Sequence, residues 1–439
     1  MSQISHPAIA IDLPDALIDV PRRIVLSGFS AAPVRLQSEM RQPDGSIWAS
    51  TAWFQPDAQG TIDLDRDAPL RGDWQGVSPM APVWSMLRTQ APTTPSLSDG
   101  VAPWEVELEA TGADGESARA RFTQHFLAPG VVRREVKEDG VVGTLFLPAG
   151  DGPHPAIVVM NGSGGGIPEQ RAALLAAQGF AALALGYFKA PGLPSHISGT
   201  PLERFETAFD WVLANVRPAR DFIAVTGQSR GGELSLLLGS RFPERVSAIV
   251  AYVPSSVLHG TLRAGAPGEA RDTPVWTWQG QALPNVWRDN PDADWSAFDQ
   301  APAGGQPIRQ AAAFLSVQRN AAFVQQARIP VENIRAPILL ISGTDDGFWP
   351  STAYSEQIVK TLTDAGHAWP FQHLPGEGAG HAISFPYQPT TLIAKPHPVA
   401  QVTLSGGGSA AANARINERS WALARGFLAD AFAAHGQVQ

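Results

Sequence analysis

The sequence predicts an α/β fold, a doubly wound and mostly parallel sheet preceded by a smaller all-β sandwich. Three observations predict it. Residues 1–130 alternate polar and apolar positions between turn residues. From about Val131, apolar strand-like runs alternate with helix-length segments. The run at 156–160 is continuously apolar, as expected of a strand buried on both faces. A chain of 439 residues exceeds what one hydrophobic core supports, so a first domain over 1–130 and a second over 131–439 are expected.

In the first domain the segments 23–26 and 47–53 alternate, with Pro43-Asp44-Gly45-Ser46 closing a hairpin. A second hairpin pairs 104–109 with 118–122 around Gly112-Ala113-Asp114-Gly115, leaving one apolar and one charged face. A Pro/Gly/Trp-rich connection, 69–103, joins them, and an antiparallel, immunoglobulin-like sandwich ending near Gly130 accounts for the whole. In the second domain the strand at 156–160 is followed by a helix over 168–178, with Pro168 at its start and Gly179 as its stop. Strands are then expected at 180–185, 222–226, 246–253, 338–342 and 371–374, and helices at 202–213, 230–241, 351–363 and 410–433. Residues 256–334 break the alternation and concentrate Trp276, Trp278, Trp287 and Trp295. An insertion between late strands of such a sheet lies near the edge where ligands bind, so either a cap over the site or a surface excursion fits.

Composition narrows the function. The net charge of −9 contains no long run of either sign, which argues against nucleic acid as a partner. The absence of cysteine excludes disulfides, Cys-based metal sites and a thiol nucleophile. No metal and no cofactor is expected. Lys137, Lys189, Lys360 and Lys395 are the lysines, so most positive charge is arginine, the side chain suited to planar recognition of carboxylate or phosphate. The start Met1-Ser2-Gln3-Ile4-Ser5-His6-Pro7 has no basic n-region, the ending Gly436-Gln437-Val438-Gln439 is not a peroxisomal signal, and no stretch is apolar enough to span a bilayer. A soluble, cytoplasmic protein acting on a small molecule is expected. Its oligomeric state is not encoded in any visible pattern.

The chemistry centres on Gly227-Gln228-Ser229-Arg230-Gly231. G-x-S-x-G alone is a common pattern, and the plainer reading of its serine is a helix cap. Between a strand and a helix, however, it describes the nucleophile elbow of an α/β-hydrolase, where glycines give room for a tight turn that projects Ser229 above the sheet edge. A serine hydroxyl needs a neutral imidazole in reach and an acid to hold that imidazole's tautomer, and in this fold the chain order is Ser, acid, His. Gly343-Thr344-Asp345-Asp346-Gly347 follows a strand, and Asp346 is preferred to Asp345 because it stands farther along the loop. Gly376-Glu377-Gly378-Ala379-Gly380-His381 supplies the base, in preference to His373 within the strand and His367 at a helix end. Backbone donors for the oxyanion are expected at Arg230, after the nucleophile, and at Ser163 or Gly164 in the run Asn161-Gly162-Ser163-Gly164-Gly165-Gly166. That run has neither of the common phosphate-loop spacings.

Further segments extend the pattern. Ser229-Arg230-Gly231-Gly232-Glu233-Leu234 is followed by Phe242-Pro243 and Val250-Ala251-Tyr252-Val253-Pro254-Ser255. Gly164-Gly165-Gly166 precedes Glu169, Arg171-Ala172 and Leu174-Leu175-Ala176. Asp345-Asp346 stands before Trp349 and Gly380-His381, and Asp67-Ala68-Pro69 leads through Gly76-Val77 and Pro79-Met80 to Trp84-Ser85-Met86. Together they resemble the acyl-CoA thioesterase and bile acid-CoA:amino acid N-acyltransferase family, over most of the chain. The resemblance implies cleavage of an acyl-coenzyme A thioester through an acyl-enzyme, with the second aspartate as the triad acid. Conjugating members of that family use cysteine as nucleophile, so Ser229 implies water as acceptor. A carboxylesterase acting on small esters or lactones, an N-acyltransferase, and a non-catalytic binding protein are the alternatives.

Overall fold

The structure, a computed structural model, describes residues 6–93, 100–300, 306–400 and 402–436. The chain ends used above to read targeting, 1–5 and 437–439, lie outside the described residues, as do 301–305 within the expected insertion. The chain forms two compact units, one of residues 1–128 with 385–392 and one of 129–384 with 393–439.

Among its described residues the first unit is β apart from one short helical turn, Ala81–Trp84. Ala8–Ile11, Ile24–Ser27 and Ile62–Asp63 make one sheet. A larger sheet runs Asp15–Leu17, Ser117–His125, Trp104–Thr111, Val34–Arg41, Ile47–Phe54 and Arg71–Gly72, with Leu87–Gln90 also pairing to Ile47–Phe54. Period-two sequence becomes period-two burial: in Val34–Arg41 the residues Val34, Leu36, Ser38 and Met40 point inward and their neighbours outward. Gly45 (φ +81°) and Gly115 (φ +82°) sit in the expected hairpin turns. The expectation of a purely antiparallel sandwich needs one correction: Asp15–Leu17 pairs parallel to Ser117–His125. The division at residue 130 needs another, since 385–392 returns to this unit. There Phe385 meets Phe126 edge to face at 5.7 Å, Gln124 Nε2 donates to Tyr387 O (2.9 Å), and Thr390 N donates to Trp84 O (3.0 Å).

The second unit is an α/β-hydrolase. Its sheet strands, in chain order, are β1 (Val132–Glu138), β2 (Val141–Leu147), β3 (Ala156–Met160), β4 (Ala181–Gly186), β5 (Ile223–Gln228), β6 (Ala248–Tyr252), β7 (Ile338–Gly343) and β8 (Phe371–Gly376), arranged β1-β2-β4-β3-β5-β6-β7-β8. The strands from β3 onward run parallel, and β1 and β2 form an antiparallel edge. All residues of β3, β4, β6 and β7 are buried, which explains their largely apolar sequences, with Ser342 as the polar exception in β7. The crossover helices are α1 (Glu169–Ala176), α2 (Glu203–Trp211), α3 (Arg230–Arg241) and α4 (Ser351–Asp364), and α5 (Ala410–Ala434) follows the last strand. α2 continues as a π turn, Val212–Val216, ended by Arg217 at φ 54°. Strand β3 lies between β4 and β5, so the winding reverses direction there. The loops after β3 and β5 therefore flank a crevice at the sheet's carboxyl edge. No helix among the described residues is long and apolar enough to cross a membrane.

The insertion is a packed body rather than a surface excursion. Val257, Val286, Trp287, Phe298, Phe314 and Val317 form a cluster with Trp349 and Tyr354 from the acid side of the sheet. Trp287 stacks on Trp295 at 4.4 Å, while Trp276 joins the main core. Trp278 packs edge-on against Phe242 and beneath Arg241.

Candidate functional site

Ser229 stands between β5 and α3 with φ 60° and ψ −120°, a strained left-handed conformation for a residue with a side chain. The turn closes only with glycine beside it. A Cβ on Gly227 would lie 2.3 Å from Gly231 O, and one on Gly231 would lie 2.6 Å from Asn161 O. Ser229 N donates to Tyr252 O (2.9 Å), and its own carbonyl accepts from Gly232 N and Glu233 N, starting α3. The serine hydroxyl does not cap the helix.

The loop after β7 presents two aspartates to different surroundings. Asp345 is half exposed, paired with Arg309 (2.6 Å) and accepting from Gly408 N (2.8 Å). Asp346 is buried. Its Oδ1 accepts from Phe348 N (2.9 Å) and Trp349 N (3.3 Å), and its Oδ2 accepts from Ser351 Oγ (2.7 Å). His381 Nδ1 lies 2.8 Å from Asp346 Oδ2 and 3.0 Å from Oδ1. A carboxylate oxygen accepts from an N–H, so Nδ1 is the donor here, and in the neutral imidazole Nε2 keeps its lone pair. That nitrogen is buried and has no hydrogen-bond partner among the described residues. Phe348 stacks on the imidazole at 4.5 Å, and Trp349 meets it edge-on at 5.7 Å. Close backbone packing holds the histidine loop: a Cβ on Gly380 would lie 2.1 Å from Gly407 O, and His381 N donates to Gly406 O (2.8 Å). The alternative histidines are engaged elsewhere, His373 with Ser342 Oγ (2.8 Å) and His367 near Ala336 O, both made less basic by burial.

Ser229, Ser163 and Arg230 line one cavity of ≈ 30 Å³, room for about two waters by the usual measure. The backbone N–H groups of Ser163, Gly164 and Arg230 meet no acceptor among the described residues. Of the two candidates in the glycine-rich loop, Ser163 lines the cavity with Ser229 and Gly164 does not. Asn161 shapes that loop, accepting from Gly162 N and donating to Gly165 O (2.8 Å). Arg230's side chain is committed to structure. It pairs with buried Glu233 (2.9 Å) and donates to His259 O (3.2 Å) and Gly260 O (2.8 Å), while Trp276 Nε1 donates to the same carboxylate (2.9 Å). The nucleophile helix is thereby tied to the insertion. Burial pushes Glu233's carboxyl up against the opposing pull of Arg230 and Trp276.

Arg263, Gln310 and His397 also line the cavity, and Thr261, Phe298 and Phe314 come with them from the insertion. The sequence offered no spacing that marks these residues. His397 lies between the paired strands Ala394–Pro396 and Thr403–Ser405, a stretch with no motif of its own. Its Nδ1 accepts from Ala400 N (3.2 Å), so the proton is on Nε2, facing Ser163 Oγ at 3.2 Å. Burial, with Arg263, Lys189 and Lys395 nearby, lowers its pKa to about 4. His259, whose Nδ1 accepts from Trp287 Nε1 (2.8 Å), is likewise held neutral, first by burial and then by Arg230.

A stability consequence follows from these depressed values. Unfolding restores an ordinary histidine pKa of about 6.5, so between pH 6.5 and about 4 the unfolded chain binds protons that the folded chain refuses. Stability therefore falls as the solution is acidified through that window. Urea titrations at stepped pH should show this proton uptake, and His397→Gln should reduce it by about one proton near pH 5. An unchanged slope in the variant would contradict the buried neutral imidazole.

Among the described residues no group of three or more His, Cys, Asp or Glu side chains could hold a metal ion. The site offers a serine, an imidazole, a carboxylate and unengaged backbone donors, a set suited to acyl transfer through a covalent intermediate. Comparison with known proteins points the same way. Residues 19–138 match the family described as Acyl-CoA thioester hydrolase/BAAT N-terminal region, and residues 200–267 and 301–434 match BAAT / Acyl-CoA thioester hydrolase C terminal. The chain is 31% identical over 419 residues to Acyl-coenzyme A thioesterase 1 of Homo sapiens, covering 92% of this chain and 91% of that protein. Acyl-coenzyme A thioesterase 6 of Mus musculus is 31% identical over 409 residues, with the same coverage. Acyl-coenzyme A thioesterase 2, mitochondrial, of Homo sapiens is 31% identical, covering 92% of this chain and 80% of that protein. The match spans both units and includes the strands and loops that carry Ser229, Asp346 and His381, so the chain belongs to the acyl-CoA thioester hydrolase/BAAT family.

Proposed function

We propose that this chain is a serine hydrolase that cleaves acyl-coenzyme A thioesters, with Ser229 as nucleophile, His381 as general base and Asp346 as the acid that orients it. The observation that carries this reading is the His381 Nδ1 to Asp346 contact, which makes Nε2 the lone-pair nitrogen of the neutral imidazole, in the chain unit where Ser229 stands on a strained elbow. In the first half-reaction His381 Nε2 takes the hydroxyl proton as Ser229 Oγ attacks the thioester carbonyl. Backbone N–H groups of Arg230 and of Ser163 or Gly164 receive the developing oxyanion. The tetrahedral intermediate collapses, the C–S bond breaks, and His381 returns the proton to the leaving thiolate. Water, deprotonated by the same imidazole, then attacks the acyl-serine and releases the carboxylic acid. Serine at this position supports hydrolysis over conjugation to an amine.

Purified protein tested on acyl-CoA thioesters and on p-nitrophenyl esters of matched acyl length decides the leaving group. Thioester turnover well above ester turnover is the expected result. Ester turnover alone would identify a carboxylesterase, and no labelling of Ser229 by a fluorophosphonate probe would remove every enzymatic version.

A further inference from the structure

Ser163 enters the mechanism above through its backbone N–H alone, and His397 does not enter it, yet both side chains line the cavity beside Ser229. Their contact has a direction. His397 Nδ1 accepts from Val399 N (3.3 Å) and Ala400 N (3.2 Å), so in the neutral ring Nε2 carries the hydrogen and donates it to Ser163 Oγ at 3.2 Å. Burial, and then the charges of Arg263, Lys189 and Lys395, hold that ring neutral at pH 7. With a lone pair of Oγ taken by the imidazole, the Ser163 hydroxyl hydrogen is left to donate. It meets no acceptor among the described residues.

The loop that carries this hydroxyl is fixed along its length. Gly162 passes so close to the nucleophile that a Cβ there would lie 2.8 Å from Gln228 O and 3.2 Å from Ser229 Cβ. Residue 163 is therefore the first position after that approach with room for a side chain. At the start of the loop Tyr187 Oη donates to Asn161 O (2.8 Å). Farther along, a Cβ on Gly164 would lie 3.3 Å from Pro398 Cγ, and Lys189 Nζ donates to Pro398 O (2.8 Å), so the 394–405 hairpin is seated on the loop. A donor already in place stabilises developing charge without reorganising. The imidazole adds to this, because a hydroxyl that accepts one hydrogen bond donates the next more strongly. The cavity of ≈ 30 Å³ is on the scale of one or two oxygen atoms, which is all that an oxyanion requires.

We propose that the Ser163 hydroxyl is a side-chain donor to the oxyanion formed at Ser229, beside the backbone donors, and that His397 is the positioning residue that aims it. The proposal rests on the hydrolase reading of the same site. Ser163 keeps its proton throughout and gives a hydrogen bond that is stronger to the tetrahedral oxyanion than to the planar carbonyl of bound substrate.

Ser163→Ala deletes the hydroxyl and retains the backbone donor, so kcat for an acyl-CoA should fall by about 10²-fold while KM changes by less than about threefold. The oxyanion forms in both half-reactions, so kcat reports its loss whichever is slower. Ser163→Thr keeps a hydroxyl and should stay within about tenfold of the unaltered enzyme. His397→Asn retains an acceptor for Ala400 N and removes the Nε2 donor, and should lower kcat by about tenfold. In the Ser163→Ala background the same change should cost nothing more, since its effect travels through a hydroxyl that is gone. A histidine that only packs the hairpin would give losses that multiply. Multiplying losses, equal losses in Ser163→Ala and Ser163→Thr, or a kcat for Ser163→Ala within about threefold of the unaltered enzyme would each overturn the proposal. Should His397→Asn fail to fold, Ser163→Ala against Ser163→Thr still decides the role of the hydroxyl. The same variants are assayed on a p-nitrophenyl ester. Losses there without any CoA-thioester turnover would retain the hydroxyl donor and remove the thioesterase. Thioester turnover abolished in Ser229→Ala and unchanged in Ser163→Ala would keep the hydrolase and overturn this inference.

Discussion

Ser229→Ala should lower kcat for acyl-CoA hydrolysis by about 10⁴-fold or more, with KM changed little. Effects of that size accompany loss of the nucleophile in other serine hydrolases. The substitution removes one oxygen and leaves the elbow intact, because an alanine tolerates φ 60° no worse than a serine and the glycines at 227 and 231 still permit the turn. Thiol release from acyl-CoA, followed with a chromogenic disulfide, measures the rate, and an unchanged circular dichroism spectrum shows that the fold is retained. Residual activity within tenfold of the unaltered enzyme would mean that another group attacks.

Asp346→Asn should be nearly as damaging, by about 10³- to 10⁴-fold in kcat. Its Oδ1 faces the N–H groups of Phe348 and Trp349, which fixes the oxygen of an asparagine there and turns the amide nitrogen toward Ser351 and His381. An amide N–H facing Nδ1 favours the tautomer with its proton on Nε2, and that imidazole cannot accept the serine proton. Asp345→Asn is the control. Asp345 belongs to a surface ion pair with Arg309, so activity should stay near that of the unaltered enzyme. Equal losses from the two variants would show that the loop, and not one carboxylate, matters.

The elbow was legible in sequence because its sterics leave few options. Strand, glycine, serine, glycine and helix follow one another, and α3 begins and ends where the sequence placed it, at Arg230 and Arg241. β3, β4 and β6 were legible for the same kind of reason, being apolar runs buried along their whole length. β1 was not: only Val136 of its seven residues is buried, so Val132–Glu138 reads as a polar stretch. Asp15–Leu17 is too short to carry a period, and its parallel partner lies about a hundred residues away. The return of 385–392 to the first unit depends on contacts separated by some three hundred residues, as between Thr390 and Trp84. Chain order named Asp346 and His381, and buried hydrogen bonds separate Asp346 from its neighbour. Arg263, Gln310 and His397 carry no motif spacing, since the fold alone brings the insertion and the 394–405 hairpin to one cavity.

Acid quenching of the enzyme in the first turnovers with an acyl-CoA, followed by mass spectrometry of the peptides, would test the covalent route most directly. The mechanism predicts one acyl group per chain, on Ser229, appearing together with an equivalent of free coenzyme A and absent from Ser229→Ala. Acyl mass on any other side chain, or thioester hydrolysis that persists in Ser229→Ala, would contradict it.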